Sequence, residues 1–264
     1  MRRLVFVAVL TAAALVPAKV SAQSVFDGTW KIDTSSMNSS KPDIFLLQDG
    51  MYECKSCNPY YKIKADGSDQ AVSGDPYVDT RAIKVVNDHQ IDETDKKSGK
   101  VVATSTAIVS PDGKTVSFTF TDSSNSNGGS PVTGKGQAIQ VAPGPPGSHA
   151  VSGSWKMSKM ENMSDNGIVW TYKVNGDSLT MTSPTGQTYT AKLDGTDAQM
   201  KGDPGVTSVS VKFIGSDTLE ETDKREGKVT GIVTMTVSGD GKTAKIKYDD
   251  KLQDRLNEMA AVKQ

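Results

Sequence analysis

The sequence predicts an all-β fold of two tandem antiparallel meander barrels. Three observations predict it: a long internal repeat, apolar residues at every second position, and hairpin-turn residues between the apolar runs. Residues 61–122 laid over residues 189–250, a constant offset of 128, give 25 identical positions out of 62. Gly74-Asp75-Pro76 falls on Gly202-Asp203-Pro204, and Glu93-Thr94-Asp95-Lys96 on Glu221-Thr222-Asp223-Lys224. Repetition over this length points to duplication of a whole domain, because solenoid units run to roughly 20 to 50 residues.

The N-terminus reads first as an address. Arg2 and Arg3 precede an apolar run over residues 4–16, Pro17 follows, and Val20-Ser21-Ala22 has the small-x-small form that signal peptidase accepts. Residues 1–22 are expected to be a cleaved signal peptide. The apolar run is too short for the roughly 20 residues that span a bilayer, so a retained anchor is the weaker reading. The expected location is a bacterial periplasm or the medium, with no membrane span after cleavage. Cleavage removes Arg2, Arg3 and Lys19 from the 30 basic residues and leaves 31 acidic ones, a net charge of about −4. The charges are dispersed, which gives no support for capture of nucleic acid or of an anionic membrane.

The alternation begins at Trp30 and Ile32 against Lys31 and Asp33, and returns at Tyr61 and Ile63 and at Val116, Phe118 and Phe120. The second copy repeats it in four runs: Ile168, Trp170, Tyr172 and Val174; Leu179 and Met181; Val209, Val211 and Phe213; and Ala244, Ile246 and Tyr248. Val229, Val233, Met235 and Val237 form a further run. A period of two is the pattern of half-buried strands. Asn175-Gly176 suits a type I′ turn, and Ser110-Pro111-Asp112-Gly113 with Ser238-Gly239-Asp240-Gly241 suits a type I turn closed by a glycine bulge. About eight short strands per copy, joined locally, must form a sandwich or a barrel, and closure into a barrel removes exposed edges. Residues 256–264 have helical propensity, but the matching segment of the first copy, Gly136-Gln137-Ala138-Ile139, reads as a strand, and repeat logic prevails. The expected division is a first barrel over residues 23–142, a semi-rigid Pro/Gly linker over 143–149 and a second barrel over 150–264.

The openings Gly28-Thr29-Trp30-Lys31 and Gly153-Ser154-Trp155-Lys156, each followed by an all-strand domain, resemble the Gly-x-Trp start of lipocalin-like (calycin-like) barrels. The mature chain also resembles a group of exported bacterial tandem-repeat proteins of no established activity. The lipocalin resemblance implies that the Trp closes the barrel floor against a late Arg, for which Arg255 is the candidate in the second copy. Read from the residues alone, Trp30 and Trp155 are buried anchors of the first strand of each copy.

Cys54 and Cys57 are the only cysteines. In an oxidising compartment a disulfide across a β-turn is feasible, because the ends of such a turn lie within about 7 Å. A structural clasp is favoured over a redox motif, which would want a helix after the first thiol. Asn58 stands where covalent haem would need a His, and no His or Cys lies near enough to complete a metal site. His89 falls at a turn and His149 in the linker, so neither supports a Ser-His-Asp arrangement. The acidic clusters Asp92-Glu93-Asp95 and Glu220-Glu221-Asp223 read as solvated hairpins rather than Ca²⁺ or paired-carboxylate sites. No cofactor and no catalytic residue is assigned.

One difference between the copies stands out: Arg81 shares the parity of Ile83 and Val85, where the second copy has Val209. An inward Arg would need an acid or an anionic ligand. A position at the strand end, with the guanidinium in solvent, is the favoured alternative. Three functional readings follow. The first is a non-catalytic exported module that binds a small apolar or amphipathic ligand, with Arg81, Trp30, Phe118, Phe120 and Trp155 as candidate contacts. The second is a structural or interaction protein of the cell envelope with filled barrels. The third, weakest, is a thiol-disulfide redox protein using Cys54 and Cys57.

Overall fold

The structure is a computed structural model and describes residues 24–264, so the expected signal at 1–22 lies outside the described residues. The first half of the chain runs β1 (Gly28–Ser39), β2 (Asp43–Gln48), β3 (Met51–Cys54), β4 (Tyr61–Lys64), β5 (Gln70–Ala71), β6 (Thr80–Asn87), β7 (Gln90–Lys97), β8 (Lys100–Val109), β9 (Thr115–Asp122) and β10 (Val132–Pro143). The second half runs β11 (Gly153–Met163), a 3-10 turn (Asp165–Gly167), β12 (Val169–Asn175), β13 (Ser178–Thr182), β14 (Thr188–Lys192), β15 (Asp194–Gln199), β16 (Ser208–Phe213), β17 (Thr218–Arg225), β18 (Lys228–Val237), β19 (Thr243–Asp250) and β20 (Arg255–Lys263). The expected all-β architecture is present, and the C-terminal segment is strand, as the repeat required.

The strands form two ten-stranded antiparallel sheets that curl into nearly closed barrels. One has the order β4-β3-β2-β11-β10-β9-β8-β7-β6-β5, the other β14-β13-β12-β1-β20-β19-β18-β17-β16-β15. In the second, the free ends of the sheet meet through the bridge Thr188–Lys201, with paired backbone hydrogen bonds of 3.0 and 2.9 Å. In the first, Asp66 bridges to Lys84 and the Gly67 N–H donates to the Ile83 carbonyl at 2.8 Å.

The sheet orders divide the chain differently from the sequence repeat. β1 lies between β12 and β20, and β11 lies between β2 and β10, so each copy lends its opening strand to the other barrel. The first barrel is β2 to β11, continuous in the chain; the second is β12 to β20 completed by β1. The division at 23–142 and 150–264 is corrected accordingly. Each opening strand carries the same Gly-x-Trp-Lys pattern and therefore fits the other's slot: Gly28 pairs with Tyr172 as Gly153 pairs with Phe45. Both strands are long, 12 and 11 residues, and their far ends deliver the chain to the neighbouring barrel. The crossings are residues 40–42 and 164–168. The expected linker is instead a turn between adjacent strands of one sheet, pinned by the His149 N–H to the Leu47 carbonyl at 2.9 Å and the His149 ring to the Asn87 carbonyl at 2.7 Å.

The glycine of each opening motif has a structural cause. Gly28 and Gly153 have φ of +124° and +132°, and a Cβ on Gly153 would stand 2.6 Å from the Ala142 carbonyl oxygen. Each barrel encloses its own core. Phe26, Trp30, Leu179, Val209, Val211, Leu219 and Met235 pack in the second; Leu47, Tyr52, Ile63, Ile83, Val109 and Trp155 pack in the first. Val229, expected inward, is exposed, because the register of β17 on β18 shifts between Asp223 and Lys224 and turns the start of β18 over.

Candidate functional site

Each barrel contains an inward-facing acid pair, one member buried and the other half-buried. On β7, Ile91 points inward, and the period of two carries Glu93 and Asp95 to the same side; on β17, Leu219 does the same for Glu221 and Asp223. Asp95 and Glu221 are buried, which overturns the solvated-hairpin reading. The sign alternation that suggested a solvated turn belongs to residues whose neighbours in sequence face opposite sides of the sheet. Parity measured from Ile91 and Leu219 was the available signal.

In the first barrel the pair holds a cation from the chain itself. Arg81 lies across β6–β7 from Asp95. Its Nε and Nη2 donate to the two Asp95 oxygens at 2.6 and 2.8 Å, and Nε lies 2.8 Å from Glu93 Oε1. The guanidinium sits 4.4 Å from the centre of the Tyr61 ring. The Arg81 side chain is only 12% exposed, so the expectation that it reaches solvent is corrected: the acids inside the barrel offset its burial. Burial pushes the Glu93 carboxyl up to about 7, against the opposing pull of Arg81.

The second barrel keeps the acceptors and lacks the cation. Val209 stands opposite Asp223, as Arg81 stands opposite Asp95. Glu221 Oε2 accepts from the Tyr189 hydroxyl at 2.5 Å and from Tyr172 at 3.4 Å. Burial raises both carboxyls, Asp223 to about 9 with Glu221 beside it adding to the shift, so the pair retains a proton at neutral pH.

Glu221 opens onto a cavity of about 420 Å³ whose wall is mostly apolar: Met181, Met200, Met235, Met259, Ile246, Val233, Trp170, Tyr172 and Tyr248. The Trp170 indole N–H on this wall is buried and has no hydrogen-bond partner among the described residues. Asn125, Asp203 and Gln187 line its rim, where the two barrels meet. Asp203 accepts from Tyr77 of the first barrel at 2.7 Å and from Asn125 at 3.0 Å, and the Gln187 amide donates to the Asn125 carbonyl at 2.6 Å. A second cavity of about 340 Å³ shares Ile32, Trp170, Asn125 and Gln187 and runs along the seam toward Phe120.

The residues singled out from the sequence scatter through the molecule. Trp30 is fully buried in the core of the second barrel, its indole N–H donating to the Phe26 carbonyl at 2.9 Å; Trp155 repeats this in the first barrel with Val151 at 2.8 Å. Arg255 lies on the seam instead, bonded to Asp43 at 2.7 Å. Phe118 and Phe120 face Gly136 and Gly134 across the strand pair, and a Cβ on either glycine would meet the ring at 2.6 and 2.3 Å. Phe120 alone of these two reaches a cavity, lining both the one on the seam and a smaller one of about 200 Å³ bordered by Glu93 and Asp95. Cys54 and Cys57 form a disulfide with Cα atoms 5.4 Å apart, and Cys54 belongs to the first core. Of the cavity residues, Met181 carried the alternation it shares with Leu179, whereas Met200 and Met259 had no sequence signal beyond apolarity. A scan against protein-family models and a search of curated proteins each return no match for this chain.

Proposed function

We propose that this is an exported, lipocalin-like binding protein whose second barrel takes up a small, largely apolar molecule. The observation that carries the proposal is the cavity of about 420 Å³ with an apolar wall and a few polar groups, which falls in the range of small-molecule sites, roughly 300 to 1,000 Å³. Four methionines give the wall a soft surface that adapts to ligand shape. The Cys54–Cys57 disulfide suits an oxidising compartment and hence export. A redox role is the weaker reading, because Cys54 is fully buried and β4, rather than a helix, follows Cys57.

The test is twofold. Protein from its native host is denatured and its extract profiled by mass spectrometry, and the refolded chain is titrated with an environment-sensitive apolar dye. A retained small molecule that competes with the dye is expected, with quenching of Trp170. Protein that retains nothing and takes up no dye overturns the proposal.

A further inference from the structure

Within that reading, we infer that the ligand of the second barrel carries a cationic head, an ammonium or guanidinium, on an apolar body, and that the head docks on Glu221. The inference rests on a comparison the molecule makes with itself. Tyr61, Glu93 and Asp95 of the first barrel correspond by the offset of 128 to Tyr189, Glu221 and Asp223 of the second. In the first, these groups surround the Arg81 guanidinium at 2.6 to 2.8 Å with an aromatic face 4.4 Å away. In the second, Val209 replaces the Arg, and Glu221 borders an open cavity. In the first barrel Glu93 and Asp95 border a cavity of about 200 Å³ but already hold a cation from the chain. In the second, Glu221 accepts only from the neutral hydroxyls of Tyr189 and Tyr172 and borders the larger cavity, with no cation of the chain opposite it among the described residues.

The surroundings suit such a ligand. Tyr172, Trp170 and Tyr248 on the cavity wall offer aromatic faces to a cation, and the methionines offer apolar contact to its body. A buried carboxylate pair without a cation must hold a proton, and the raised carboxyls of Glu221 and Asp223 meet that condition. An entering cation takes the place of this proton.

Calorimetry on the full chain with octylammonium, octan-1-ol and octanoate, three ligands of one chain length and three charges, tests the inference. Octylammonium is expected to bind at least about tenfold tighter than octanol, with octanoate weakest. Glu221→Gln and Val209→Arg, each verified as folded by circular dichroism, are expected to bring the octylammonium-to-octanol ratio to about one, the first by removing the acceptor and the second by supplying the internal cation. Octanol or octanoate binding as tightly as octylammonium, or a preference for octylammonium that survives Glu221→Gln, overturns the cationic head and leaves the binding reading standing. Failure of all three to bind likewise overturns this inference, while the binding reading stands or falls on the host extract and the dye.

Discussion

Trp30→Ala distinguishes the exchanged architecture from two independent tandem domains. Trp30 belongs to the first copy in sequence, yet its side chain is fully buried in the core of the second barrel. Truncating a buried Trp costs about 3 to 5 kcal/mol through lost transfer energy and the residual cavity. The change also removes the indole N–H bond to the Phe26 carbonyl and the contact of the Lys263 ammonium, 4.8 Å from the ring centre. Amides protected by unfolding of the affected barrel then exchange about a hundredfold to several thousandfold faster, at tenfold per 1.4 kcal/mol. Native-state hydrogen exchange with mass spectrometry is the assay. Acceleration is expected in β16 to β20, with β6 to β9 retaining their rates; Trp155→Ala should produce the mirror image. Faster exchange in β6 to β9 upon Trp30→Ala, with β16 to β20 unchanged, would refute the reciprocal exchange of opening strands.

Arg81→Met leaves Glu93 and Asp95 buried without their cation and should cost about 3 to 5 kcal/mol in urea unfolding; adding Glu93→Gln and Asp95→Asn should restore a part, and a single substitution without cost would contradict the ion cluster. The pH dependence follows from Asp223, whose folded carboxyl is raised to about 9. The folded state therefore holds a proton that the unfolded chain releases near about 4, so stability is greatest below that and falls as pH rises toward 9, by up to about 1.4 kcal/mol per pH unit. Urea midpoints at pH 5 and pH 8 should show this fall, and Asp223→Asn should flatten it; an unchanged slope in the variant would count against the buried proton. Reduction of Cys54–Cys57, which closes a short loop, should cost about 2 kcal/mol on the chain-entropy relation, read as a lower denaturation midpoint in reductant; an unchanged midpoint would show that the clasp adds nothing to the folded state.

Much of the fold was legible in the residues. The offset of 128, the alternation along β9 and β12, and the turn at Asn175-Gly176 specify strands, their inward faces and their local pairings, because those depend on neighbours two residues apart or across one turn. They also place Cys54 and Cys57 at opposite ends of a turn, where the disulfide forms. The acid pairs could have been assigned inward from the parity of Ile91 and Leu219; charge obscured a geometric signal that was present.

The partnership of the opening strands lay beyond any local pattern. Gly28-Thr29-Trp30-Lys31 and Gly153-Ser154-Trp155-Lys156 present equivalent side chains to equivalent slots, so both assignments satisfy the same alternation and the same core. Only the path of the whole chain, crossing between barrels at 40–42 and 164–168, decides which slot each strand fills. The same holds for the cavity. Sequence showed that Val209 replaces Arg81; that this substitution leaves Glu221 at the edge of an apolar space, rather than in a repacked core, depends on how ten strands from both copies close around it. Burial face is a property of a strand and its neighbours, whereas enclosed volume belongs to the closed barrel.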